Sequence, residues 1–298
     1  WKLTKKINRE KYILRKLESE KDRLQFQAPS YILDGLHNKS PYLAQSIVKG
    51  NQYHFDFNQR NIYENADLEQ KIFNVTKALV GLAKIKSEKI KKVSSSEIRK
   101  KYNHYQDKRN LVQDFQLNNL ENLDLKNSII HGDFVPHNIL LSNSNKYISI
   151  IDWTDVDFSG VVFFDLMHFF IHVLMRLRSS TSFEGLTSVL KLGFFEENQV
   201  SKIFQSSSKY YADQLGIDYD EIQLYFYYFL MRYALYENKK ISKSIQAKSI
   251  PTHIFSMNDS NNINNLQLEY WSSFLNYSLK NRSSITIWKD SYLYLRVL

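Results

Sequence analysis

The period of apolar and polar positions changes twice along the chain. Residues 2–17 alternate in short runs and predict two strands, around Leu3–Ile7 and Tyr12–Lys16, with a polar turn at Asn8–Glu10. A helical stretch is predicted across Tyr31–Leu36, ending before a turn at His37–Ser40. An extended segment, Pro41–Val48, follows and is closed by Gly50. From Asp67 to about Ile90, Leu68, Ile72, Val75, Leu79, Leu82 and Ile85 recur at helical spacing. The basic stretch Lys84–Lys101 reads as the solvated end of that helix and a loop, and a further helix is predicted near Tyr105–Leu117. Residues 128–152 differ. Ile129–Ile130, Ile139–Leu141 and Tyr147–Ile151 are short apolar runs between turn residues, which predicts small strands and loops. After Val161 the pattern is helical again, through Leu186–Gly193, Gln199–Leu215 and the aromatic-rich Tyr219–Tyr236. The Asn258–Asn265 cluster is a loop, and the tail Ser284–Leu298 ends in a strand. No internal repeat is present. The predicted order is a small strand-rich start and a larger, mainly helical body.

Composition narrows the classes of function. The 298 residues are 43% hydrophobic and 24% charged, values of a soluble globular chain with enough length for two domains or one large one. Lys and Arg number 40 against 31 Asp and Glu, a net charge of +9. That is a modest bias, suited to an anionic small substrate as well as to anything larger; no nucleic-acid partner is expected. The absence of cysteine excludes a disulfide framework, thiolate metal sites and cysteine catalysis. The most apolar run, Val161–Met175, is interrupted by Asp165, His168 and His172 and is shorter than the roughly 20 residues a bilayer crossing needs. A buried helix is expected there, with no membrane span, and a cytoplasmic location. The chain opens at Trp1 without Met or a signal-like segment, so the natural N-terminus is expected to be missing.

The chemistry is concentrated in residues 131–165. The segment reads His131-Gly132-Asp133-Phe134-Val135-Pro136-His137-Asn138-Ile139-Leu140-Leu141, and later Ile151-Asp152-Trp153. A hydroxyl attacking a phosphoryl group needs an acceptor for its proton, and Asp133 is placed to be that base. Mg²⁺ bridging phosphates needs hard oxygen ligands, and Asn138 and Asp152 offer an amide oxygen and a carboxylate. Four residues separate Asp133 from Asn138, the interval of the kinase catalytic loop. A hairpin of Ile139–Leu141 with Tyr147–Ile151 would return Asp152 to the side of Asn138.

His131-Gly132-Asp133-x-x-x-x-Asn138, Ile151-Asp152-Trp153 and Phe164-Asp165-Leu166 together resemble the aminoglycoside phosphotransferase and choline kinase family. The resemblance is nearest to members with His-Gly-Asp-Phe-x-Pro-x-Asn, Asp-Trp and Asp-Leu-x-His-Phe, often linked to cell-surface sugar metabolism. It implies an α+β, protein-kinase-like fold of two lobes: a small strand-rich lobe with the hinge at 1–48, and a mainly helical lobe at 49–298. The larger lobe would hold the catalytic loop 131–138 and the metal-binding segment 151–157. By the resemblance Asp133 is the catalytic base, Asn138 and Asp152 hold Mg²⁺, and His131 and Asp165 brace the loop. Tyr42–Gly50 resembles the family hinge, whose backbone would meet the adenine of ATP near Ala44, Gln45, Ser46 and Ile47.

Two departures from the family pattern stand out. The family's phosphate-binding strand Lys falls at Arg15, and Arg does not place a compact ammonium in the same way. The acidic partner expected on the next helix is not evident, since Gln27 and Ala28 stand about there and Glu18 and Glu20 come too early. The strand and loop covering the phosphates would precede Trp1, so the small lobe reads as truncated or degenerate. Blander readings apply elsewhere. Asp155 and Asp157 read as a solvated loop beside the cleft, and His137, His168 and His172 as structural. The aromatics of 225–229 read as core, and Lys89, Lys91, Lys92, Lys100 and Lys101 as a solvated face.

Three functions compete at this point. The first is an ATP- and Mg²⁺-dependent kinase of a small hydroxyl acceptor: a sugar, amino sugar or amino alcohol, in cell-surface glycan metabolism or antibiotic modification. The second is a catalytically impaired nucleotide-binding module of the same fold. The third is a metal-dependent hydrolase built on His131, Asp133, Asp152 and Asp155. A protein kinase in the narrower sense lacks its Asp-Phe-Gly and Ala-Pro-Glu segments here. Neither the acceptor nor the oligomeric state is written in these patterns.

Overall fold

The computed structural model of the chain describes residues 2–52, 66–85, 125–141, 147–177, 190–226, 228–230 and 232. The chain begins with one helix, α1 (Lys2–Ser19), where two strands were expected. Glu10, Ile13, Leu14 and Leu17 are its buried positions, a spacing of three, four and seven residues that only a helix brings to one face. The basic residues between them favour helix and stay outside. The strand reading rested on two short runs, Leu3–Ile7 and Tyr12–Lys16, about a polar turn at Asn8–Glu10. It missed that Ile13 and Leu14 are adjacent and both buried, which a half-exposed strand does not allow.

The second correction lies in 31–37. This stretch is strand β2 (Tyr31–His37), with β1 (Phe26–Gln27) before it and β3 (Ser40–Gln45) after it. β2 and β3 form an antiparallel hairpin, with Asp34 opposite Leu43 and Gly35 opposite Tyr42. The turn between them sets Asn38 at φ 49° and Lys39 at φ 65°, the paired positive values of a two-residue hairpin turn. The turn expected at 37–40 is therefore present, as a hairpin tip and not a helix end. The extended segment after it is present as β3.

Helix α2 (Ala66–Ala83) follows a short strand, β4 (Asn51–Gln52), and buries Leu68, Ile72, Val75, Leu79 and Leu82 as its period predicts. Residues 125–161 supply four strands: β5 (Asn127–Ile130), β6 (Ile139–Leu141), β7 (Ile148–Ile150) and β8 (Asp157–Val161). The expected β6–β7 hairpin is present, with Ile139 opposite Ile150 and Leu141 opposite Ile148. It is the centre of a four-stranded sheet of order β1-β7-β6-β4, in which β1 runs parallel to β7. β5 and β8 pair antiparallel as a separate ribbon.

Two long helices complete the body, α3 (Phe164–Leu177) and α4 (Gln199–Leu215). Asn198 and Ser201 cap α4 reciprocally, each side chain bonding the other's backbone amide at 3.0 Å. Residues 190–194 and 222–226 are helical as well. One apolar core runs through all of it, from Ile13 to Leu230, with Phe170 and Phe204 stacked at 4.0 Å where α3 meets α4. Tyr225, Phe226, Tyr228 and Phe229 are buried in that core. The readings made at 105–117, 258–265 and 284–298 lie outside the described residues. Among those described, no helix is long and apolar enough to cross a membrane.

Candidate active site

Three pieces of backbone converge on one point. β5 delivers the loop 131–138, β7 delivers 151–156, and the first turn of α3 delivers Asp165. Asp165 accepts hydrogen bonds from the backbone amides of His131 at 2.6 Å and Gly132 at 3.0 Å, one to each carboxylate oxygen. It therefore ties the start of the loop to α3. Burial pushes its carboxyl up to about 7, while those two amides pull it down.

His131 is fully buried and braces the same loop from its other side. Its Nε2 lies 2.9 Å from the carbonyl of Ile151, so that nitrogen bears the proton and donates. Its Nδ1 is buried without a hydrogen-bond partner, and burial lowers the ring's pKa, so the imidazole stays neutral. Trp153 packs on it with ring centroids 4.7 Å apart, and Phe134 packs at 5.7 Å. Phe26 of β1 stacks on the far face of this cluster against Trp153, and the Trp153 indole donates to the Ile150 carbonyl at 3.0 Å. Gly132 permits the tight path. Its φ is +85°, and a Cβ there would lie 2.2 Å from the Asp155 carbonyl oxygen.

Inside this brace lie the three residues expected to react or bind. Asn138 is 4% exposed and ends a short helical turn opened by Pro136. Its Nδ2 donates to the Asp133 carbonyl at 2.9 Å, which orients the amide and leaves Oδ1 as its remaining oxygen. The Ile151 amide donates to the Asn138 carbonyl at 3.0 Å. The hairpin thereby fixes Asp152 beside Asn138. Asp152 itself has φ 62° and ψ 70°, a left-handed conformation that turns the chain sharply after β7, and its Oδ1 accepts from the Thr154 hydroxyl at 2.7 Å. An amide oxygen and a carboxylate suit Mg²⁺, whose other positions would go to phosphate and water. Among the described residues no group of three or more His, Asp or Glu side chains is arranged to hold a metal ion by itself. The His131 Nε2 is engaged by the Ile151 carbonyl and so is not offered as a metal ligand.

Sequence reasoning missed Glu10. It lies on α1, 8% exposed, and its pKa is raised first by burial and then by the charge of Asp152, with Lys6 opposing. A buried carboxylate on a helix is thus present beside Asp152. Its signal was the spacing to Ile13, Leu14 and Leu17, invisible while the segment read as strands. α1 is latched to the turn after Asp152 by Lys6, whose Nζ lies 3.3 Å from Asp155, and by Arg9, which donates to the Val156 carbonyl. Asp157 is tied elsewhere, to Arg232 at 2.7 Å.

The other expected residues stand on other elements. Arg15 is on an exposed face of α1 with its guanidinium 4.5 Å from the centre of the Tyr31 ring. Its assignment to a phosphate-binding strand is corrected, because the strand is a helix and the side chain faces away from Glu10's surface. In the predicted hinge, Ala44 and Gln45 end β3, and Ser46 exchanges bonds with Ser30, its amide donating at 2.9 Å and its Oγ accepting at 2.8 Å. Ser46 and Ile47 border a cavity of about 590 Å³ beside the end of α1, which Asp133, Asn138 and Asp152 do not line. His168 and His172 lie on one face of α3 with their Nε2 atoms 3.1 Å apart, packed as expected.

The chain belongs to the phosphotransferase enzyme family, whose model matches residues 2–183. It is accordingly a phosphotransferase, and its described residues form a mixed α+β fold. Among solved structures it is similar to the GDP complex of wild-type aminoglycoside 2'-phosphotransferase-IIIa, with 13% identity over 88% of this chain and 81% of that one, at a TM-score of 0.46. An aminoglycoside phosphotransferase from Streptomyces rimosus, in complex with ADP and streptomycin, matches at 15% identity over 69% and 77%, with a TM-score of 0.36. Macrolide 2'-phosphotransferase type I matches at 14% over 72% and 75%, with a TM-score of 0.37. Comparison with curated proteins finds no match.

Proposed function

We propose that this phosphotransferase moves the γ-phosphoryl group of ATP to a hydroxyl of a sugar, amino sugar or amino alcohol. Asp133 takes the hydroxyl proton, and Asn138 and Asp152 hold Mg²⁺ against the phosphates. One observation carries the reading: Asp133, Asn138 and Asp152 are joined through two short hydrogen bonds, Asn138 Nδ2 to the Asp133 carbonyl and the Ile151 amide to the Asn138 carbonyl. Base and metal ligands are thus on one rigid assembly, as positioning catalysis requires. When bound, Mg²⁺ supplies neutralisation of phosphate charge. The chain's own part is to hold the acceptor oxygen in line and to receive its proton at Asp133.

In this proposal residues 1–48 form the small lobe and hinge, and 49–298 the large lobe, with the backbone of 44–47 meeting adenine. The pairing of β4 with β6 supports the boundary, since chain after 49 already belongs to the sheet that carries the site. Glu10 is the small lobe's contribution: a buried carboxylate beside Asp152, suited to orient the cation that grips the phosphates. The impaired-module reading is favoured by Arg15's place on an exposed helix face against Tyr31 and opposed by the intact loop. Asp133→Asn separates the two. Followed by ADP release across a panel of sugars and amino alcohols, turnover should fall by about three or more orders of magnitude while the thermal midpoint stays within a few degrees. Undiminished turnover in the variant would remove Asp133 from the role, and no turnover in either protein would favour the module.

A further inference from the structure

The ion pair of Arg232 and Asp157 takes no part in the proposed reaction, yet it closes a ring around the base of the catalytic loop. Arg232 donates from Nη2 to Asp157 at 2.7 Å and from Nη1 to the buried Tyr228 hydroxyl at 3.3 Å. Its guanidinium lies 4.9 Å from the centre of the Phe164 ring. Phe164 opens α3 and directly precedes Asp165. On the other side Asp157 begins β8 and stands opposite Ile130, the residue before His131. The ring runs from Arg232 through Asp157 and Ile130 to the loop, and returns through Asp165 and Phe164.

Charge gives this ring a task. Asp165 is 3% exposed, and its bonds from the His131 and Gly132 amides do not offset burial, since its carboxyl stands at about 7 with both in place. Among the described residues, Arg232 supplies the full positive charge that acts on it, and Asp157 a weaker negative one. Tyr211 reaches it from α4 with a hydroxyl kept neutral by burial and by the charge of Asp165 itself, and His131 is neutral. Burial also works against the charge of Asp157. There Arg232 prevails, holding the carboxyl below its ordinary range with help from the Ser159 amide and Arg9.

We infer that Arg232 is a positioning residue for the catalytic loop: gripped by Asp157 and laid on Phe164, it keeps Asp165 in the charged form that holds the His131 and Gly132 amides. A carboxylate accepts at both oxygens, whereas a carboxylic acid turns one of them into a hydroxyl, a poorer acceptor. Loss of the proton at Asp165 thus tightens the loop that carries Asp133, and its uptake loosens it. Asp157 acts in two opposed ways. It fixes the guanidinium in place, and its own charge cancels part of the effect of Arg232 at Asp165. Both residues work through Asp165 and need touch no substrate. The loop's part in catalysis belongs to the proposed function, while its anchorage by Asp165 is read without turnover.

The test is a titration of the isotope-labelled full chain by nuclear magnetic resonance. The amide proton shifts of His131 and Gly132 report their bonds to Asp165, and their common midpoint is expected at about 7. Asp165→Asn should abolish that titration, which assigns it. Arg232→Met removes the charge and keeps most of the stem, so the midpoint should move to higher pH, a gain of about tenfold in proton affinity. Asp157→Asn should move it to lower pH, since the amide oxygen still accepts from Arg232 and the opposing charge is gone. Arg232→Lys keeps the charge and should leave the midpoint near that of the parent. Near pH 7, exchange of the same two amides should be several-fold faster in Arg232→Met than in the parent. The opposite signs are the signature, because a merely structural ion pair would loosen the loop in both variants and leave the midpoint in place. An unmoved midpoint in Asp157→Asn, or shifts of one sign in Asp157→Asn and Arg232→Met, overturns the inference. Should Arg232→Met fail to fold, Asp157→Asn and Arg232→Lys decide it by themselves.

Discussion

Replacing Gly132 with Ala should separate two costs that the catalytic loop avoids. The first is conformational: an L residue held at φ +85° loses about 1–2 kcal/mol relative to glycine. The second is steric. The added Cβ would stand 2.2 Å from the Asp155 carbonyl oxygen, where ordinary contact begins near 3.4 Å. Neither atom can escape by a rotamer change, since one is fixed to the loop backbone and the other belongs to a turn anchored by Trp153. That indole is wholly buried, stacked on Phe26 and packed at a tilt against His131. The turn must therefore shift by roughly 1 Å, adding about 1–3 kcal/mol of overpacking strain. Gly216→Ala is the control, because Gly216 has φ +60° with no atom within 4 Å of its would-be Cβ. It should lose only the conformational part, about 1–2 kcal/mol. Urea unfolding of the parent and both variants measures each loss, with equal slopes confirming a common transition. The shifted turn also carries Asp152, and a displacement of about 1 Å in such a site lowers turnover by about a hundredfold. Equal destabilisation by the two substitutions, with full turnover in Gly132→Ala, would refute the close approach and the rigidity of the turn.

Two further outcomes follow from the same geometry. With the Asp165 carboxyl pushed up to about 7 by burial, the folded chain keeps a proton that the unfolded chain releases above the ordinary 3.8. Stability should thus fall as pH rises through this window, by about 2.7 kcal/mol between pH 5 and pH 8, and Asp165→Asn should abolish that slope. Parallel urea profiles for the two proteins would assign the titration elsewhere. Asp152→Ala should remove the Mg²⁺-dependent part of ATP affinity in calorimetric titration, since Asn138 alone offers one protein ligand; an unchanged isotherm contradicts the metal assignment.

How much was legible beforehand depended on how local the cause was. The β6–β7 hairpin and the return of Asp152 to Asn138 follow from two apolar runs and a short connection, all within about twenty residues. The α2 and α4 helices follow from sustained period, and the Asn198–Ser201 cap of α4 is local as well. Residues 2–17 failed because the local alternation and the longer helical period both fit them. The choice was made by burial of Ile13, Leu14 and Leu17 against the rest of the core. Residues 31–36 failed similarly, since the partner that makes them a strand lies in 40–45 and the turn depends on two positive φ values at Asn38 and Lys39.

The sequence by itself determined the loop and hairpin that bring Asp133, Asn138 and Asp152 to neighbouring positions, because the interval from Asp133 to Asn138 and the pairing of two nearby apolar runs are local. It also determined the helical body, whose apolar stripes need only some core to face. Tertiary structure alone decided that Glu10 is buried next to Asp152, that Arg15 leans on Tyr31, and that Asp165 bonds two amides more than thirty residues earlier. Each of these rests on the meeting of segments distant in sequence. Burial and electrostatic environment belong to that meeting, and a residue's type and spacing do not encode them.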